Sequence, residues 1–119
     1  MPSVVLEELT WVEAEEEFHR LDSQVGSHAN EHETSMMLAI DPAVVRTDRM
    51  AAEIQPWMSH MRDPVRPAGP LLRKAGDGIG NLCPSGVIGD PTRATAAKGE
   101  AILTAMAADV VNFCRAEQF

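Results

Sequence analysis

The chain has 119 residues, enough for one small domain, and 45% hydrophobic with 24% charged residues excludes a wholly disordered chain. Its formal net charge of −8, from 18 acidic against 10 basic residues, would repel a phosphate backbone, which argues against nucleic-acid binding. No apolar stretch approaches the roughly 20 residues that a membrane helix needs.

Met1-Pro2-Ser3 lacks the basic start and long apolar run of a signal peptide. Val4-Val5-Leu6 is a short β-branched run that can open a strand. Thr10 and Glu13 stand at capping-box spacing, which predicts a helix whose apolar face is Trp11, Ala14, Phe18 and Leu21. Glu15, Glu16 and Glu17 fall largely off that face and read as solvated surface. Glu17, His19 and Asp22 have the composition of a metal site. Residues two apart on a helix, however, point about 200° apart, so Glu17 and His19 cannot easily share an ion.

Gly26 and Ser27 break the helical pattern. A second helix is predicted over 33–40, stopped by Asp41-Pro42 because proline disfavours a helical residue before it. The stretch 43–57 reads as a further helix. From 62 to 90 the chain is rich in proline and glycine, which predicts surface loop with short pieces of strand. Asp90 can cap the last helix, with Pro91 at its first helical position. Ile102, Met106, Val110 and Phe113 then form one apolar stripe, read as core. Cys83 and Cys114 stand far apart and suggest no disulfide framework, so a cytoplasmic location is expected.

The densest chemistry is the run His28-Ala29-Asn30-Glu31-His32-Glu33-Thr34-Ser35. Histidine exchanges protons near neutral pH, and carboxylates orient it, activate water or bind metal. His28 to His32 spells H-x-x-E-H, an inverted zinc-protease pattern in which two histidines on one helix face would hold zinc and Glu31 would act as base. The alternative is a polar helix start, with Glu33 or Ser35 capping and the histidines solvated.

The longer run from His28 to Pro42 resembles the creatininase-family signature H-A-G-x-x-E-T-S-x-M-L-A-x-x-P, and Val44-Val45-Arg46 continues it. Ser85 to Glu100 resembles the family's second C-terminal signature, G-V-x-G-D-P-x-x-A-T-x-x-K-G-E. Two ordered matches about fifty residues apart are far more specific than five residues of H-x-x-E-H. The resemblance implies an α/β chain: a helix-rich part of a three-layer α/β/α fold, with residues 1–119 as one domain corresponding to the C-terminal portion. It implies metal-dependent hydrolysis of a small-molecule amide, such as the cyclic amide creatinine, or of a related bond. One branch of the family acts on the precursor peptide of the redox cofactor mycofactocin. Zinc, manganese or both are the expected metals, and a homo-oligomer is the expected assembly.

Carried over by position, His28 matches the histidine that passes a proton, and Glu33 matches a glutamate that orients it or touches substrate. Asn30 stands where the signature has glycine, and asparagine is the least costly substitute if φ there is positive. His32 falls at a variable position. The family's metal ligands lie in Glu-x-His-Gly, a following aspartate and Asn-Gly-His; neither motif occurs in this sequence. The expectation is a truncated or split product whose missing N-terminal half or partner chain supplies the ligands. The alternative is a non-catalytic remnant serving as an interaction subunit.

Overall fold

The computed structural model describes residues 9–23, 26–56, 58 and 78–117. Val4-Val5-Leu6, Trp57 and most of the proline- and glycine-rich stretch lie outside them. Among the described residues the chain is rich in helix, with a small antiparallel β element. Helix α1 spans Glu13–His19, strand β1 Gly26–His28, helix α2 Glu31–Ile40, strand β2 Ile88–Gly89 and helix α3 Ala96–Ala116. Short 3-10 turns occupy Pro42–Val44, Thr47–Arg49, Ile79–Asn81 and Pro91–Arg93.

The packing centres on α3. Helix α2 crosses it where Gly99 meets the backbone of Ser35, and the start of α1 is held by Asp109 in the C-terminal half of α3. The α2 face buried at this crossing is polar and small: Glu31, Thr34 and Ser35 are all buried. Ser35 Oγ accepts the Thr95 N–H at 3.2 Å, so the buried hydroxyl is satisfied. Ile102 is buried on the α3 stripe, and Met106, Val110 and Phe113 are half-buried. Met58, Cys83 and Ile88 form a smaller apolar cluster with Ile79 beside it.

Helix α2 starts at Glu31, two residues before the predicted 33, and three further expectations change, each for a local reason. No Thr10 capping box forms. Helix α1 begins after Val12, and its first N–H groups, those of Glu13 and Ala14, donate to the two oxygens of Asp109 at 2.9 and 3.0 Å. A carboxylate from α3 thus does the capping, favoured by the positive end of the helix dipole. The helix expected over 43–57 is absent from its described part. Two 3-10 turns are followed by Glu53, whose N–H and C=O pair with Gly89 at 2.9 and 3.0 Å. Backbone groups held by a neighbouring strand cannot also serve a helix. Asp90 and Pro91 open a separate 3-10 turn, and α3 starts five residues later with Thr95 as its cap.

In the β element, Gly26 pairs with Gly89 and His28 with Ile88, while Glu53 pairs with Gly89 from the other side. Three distant stretches of chain thereby meet beside the start of α2.

Candidate active site

His28 ends β1, and the chain then turns sharply into α2. Ala29 makes the turn with φ 48°, in the left-handed region that residues other than glycine enter at a cost. The first turn of α2 holds both of its backbone groups. Ala29 N–H donates to Glu33 Oε2 at 2.5 Å, and its carbonyl accepts the Thr34 hydroxyl at 3.3 Å. Asn30 is the N-cap, its Oδ1 accepting the Glu33 N–H at 3.2 Å. The arrangement is a capping box displaced by one residue, since Glu33 reaches back past the cap to the residue before it. Asn30 has φ −85°, so asparagine is present here as a cap and meets no left-handed requirement.

The imidazole is held from across the β element. His28 Nδ1 lies 2.7 Å from the Gly86 carbonyl. A carbonyl oxygen only accepts, so Nδ1 is the donor in this contact. His28, Glu33 and Arg46 line an open groove of about 580 Å³ whose other walls are mostly apolar: Met36, Met37, Ile40, Val44, Val45 and Leu103. The structure therefore brings His28 and Glu33 together, in unequal roles. His28 offers a ring nitrogen, whereas the Glu33 carboxylate binds the backbone that positions the histidine.

The inverted zinc-protease reading fails on geometry. His28 precedes α2, and His32 lies on it, half-buried with its ring centroid 5.1 Å from that of Phe18. Burial holds the His32 pKa below the usual histidine value, against the opposing charge of Glu33. Glu31 accepts the N–H groups of Asp22 and Ser23 at 3.1 and 2.6 Å and the Lys98 ammonium at 2.7 Å. A carboxylate so engaged is not available as a base. Lys98 also donates to Asp22 at 2.8 Å and to the Arg93 carbonyl at 2.8 Å. Hydrogen bonding to Asp22, then to Glu31, raises the Lys98 pKa, and the same contact lowers that of Asp22. Asp22 is thus committed to an ion pair with Lys98, and Glu17 to one with Arg20.

Among the described residues, no group of three or more His, Cys, Asp or Glu side chains could hold a metal ion. A divalent metal does not fit these residues alone. Sequence reasoning passed over Gly86 and Arg46 as site residues, although both stand in the signature runs and Gly86 could have been singled out there.

The family model for creatininase, described as creatinine amidohydrolase, matches residues 2–114. The chain belongs to the creatininase family. The family indicates an α/β fold and, in general, use of a divalent metal. Mycofactocin precursor peptide peptidases are similar to this member of the family over part of their length. That of Mycobacterium tuberculosis is 40% identical over 84 residues, covering 71% of this chain and 30% of the relative. That of Mycobacterium ulcerans is 40% identical over 86 residues, covering 72% and 31%. That of Mycolicibacterium smegmatis is 35% identical over 88 residues, covering 74% and 30%. The chain thus spans just under a third of the length of the curated relatives it matches. No solved structure matches it.

Proposed function

We propose that this creatininase-family chain carries the proton-transfer side of an amide-hydrolysing site. The observation that supports this most is the anchored imidazole of His28, held through Nδ1 at the rim of an open groove. The bond broken is an amide C–N bond. The relatives' names favour a peptide, and the family description keeps a cyclic amide such as creatinine as the alternative. His28 Nε2 delivers the proton that the leaving nitrogen needs, a step typically worth about 10²–10⁴-fold in rate. Glu33 fixes the turn that carries the imidazole, and the apolar walls of the groove exclude water from the substrate.

The zinc or manganese ions expected for the family are held, on this reading, by polypeptide other than the described residues. These residues form the C-terminal portion of a three-layer α/β/α domain, and the assembly is a cytoplasmic homo-oligomer. Val12, Ile54 and Val111 support association, because all three are large apolar side chains left exposed and none lines the groove.

The test is amide hydrolysis by the protein in its native, metal-loaded assembly. His28→Gln is expected to lower kcat about 10²–10⁴-fold with KM little changed. Unchanged turnover would remove His28 from that role, and absence of turnover in the wild-type assembly would favour the non-catalytic reading, in which exposed apolar residues serve a subunit interface.

A further inference from the structure

We infer that Gly86 is a positioning residue whose carbonyl selects the proton-carrying nitrogen of His28, so that Nε2 is the working atom. The inference rests on the proposed hydrolytic reading for its purpose, but on geometry for its content. His28 Nδ1 sits 2.7 Å from the Gly86 carbonyl, and that oxygen can only accept. The neutral histidine side chain, free in water, prefers its proton on Nε2. The carbonyl reverses that preference, leaving Nε2 with the lone pair that takes up a proton and returns it.

The position of that carbonyl follows from the backbone at Gly86. Its φ is +79°, in the left-handed region where glycine meets no penalty. A Cβ built there meets nothing within 4 Å, so neighbouring atoms do not demand glycine and the backbone angle alone does. The turn is braced on both sides of Gly86. The Gly86 N–H donates to the Cys83 carbonyl at 2.9 Å, and Val87 N–H donates to Ser85 Oγ at 3.1 Å. Ser85 in turn gives its N–H to Glu53 Oε2 at 3.0 Å and its hydroxyl to the same oxygen. Glu53 is itself paired with Gly89. The carbonyl that aims the imidazole is thus tied back to the β element that carries His28.

The experiment is a long-range proton–nitrogen NMR correlation of the histidine rings in the full 119-residue chain at about pH 8.5, where imidazole is neutral. The His28 signals are identified by their loss in His28→Gln. The expected result is a protonated Nδ1 and a pyridine-type Nε2. A protonated Nε2 in the wild-type chain would overturn the inference without any variant.

Gly86→Val cannot hold the left-handed angle, and it is expected to return His28 to the ordinary tautomer mixture. Gly86→Asn tolerates that angle and is expected to keep the wild-type spectrum. Retention of the Nδ1–H signature in a folded Gly86→Val chain would also overturn the inference. These spectra need no turnover. A chain with the expected spectrum whose His28→Gln form hydrolyses normally would sink the proton-transfer role of His28 and leave the positioning geometry intact.

Discussion

Asn30 occupies the position where the family signature carries glycine, and its side chain closes the first turn of α2 by accepting the Glu33 N–H. Glycine is itself a tolerable N-cap, whereas alanine is a poor one. Asn30→Ala is therefore expected to destabilise the chain by about 1 kcal/mol, and Asn30→Gly by only a few tenths. Urea midpoints at constant slope would check this; equal losses for the two variants would show that the cap bond is not what Asn30 contributes. The sequence ties a left-handed backbone to Asn30 only conditionally, and the residue that adopts it is the neighbour Ala29. Alanine gives no sequence signal of such a backbone, and only the grip of Glu33 and Thr34 on both its peptide groups explains how it is held there.

At the scale of elements, the signature runs met by resemblance are brought together by one helix crossing. A Cβ at Gly99 would stand 1.9 Å from Ser35 O, 2.4 Å from Ser35 C and 2.9 Å from Met36 N, all backbone atoms that cannot rotate away. Gly99→Ala is expected to cost about 3 kcal/mol, the upper end for overpacking, and to loosen α2 from α3. Loss of α-helical circular dichroism or of the urea transition would show it, and wild-type stability would count against the crossing. The apolar stripe of α3 was legible because 3.6-residue periodicity survives over a long helix. The buried face of α2 was not, because it presents Thr34 and Ser35 inward and leaves Met37 and Ile40 exposed. Strands of two and three residues carry no readable alternation, and the carboxylate that caps α1 comes from 95 residues away.

Across the whole molecule, Asp22, Glu53 and Asp109 tie distant segments together, while Asp90 closes its own turn. Asp22, Glu53, Asp90 and Asp109 all have pKa values below the ordinary range. For Asp22 the cause is the hydrogen bond and charge of Lys98; for Glu53 and Asp90 it is chiefly the hydroxyls of Ser85 and Thr92. For Asp109, burial opposes ionisation, but the N–H groups of Ala14, Glu13 and Val12 outweigh it. Each group binds a proton more readily in the unfolded chain. Their stabilisation is thus present above the ordinary values of 3.8 for aspartate and 4.5 for glutamate, and is lost as pH falls through the folded values. Urea unfolding followed from neutral pH into the acid range should show stability decline once pH drops below about 4.5. A flat profile there would contradict the assigned partners.

The crossing at Gly99 bears on how such a chain could diversify. Main chain rests directly on main chain there, so the spacing of the two helices is a fixed dimension that exchange of side chains cannot tune. Met36, Met37, Ile40 and Leu103 could be traded for larger or smaller groups, reshaping what the groove admits. The imidazole would keep its aim throughout, as a tool clamped in a rigid frame keeps its bearing when the workpiece is changed.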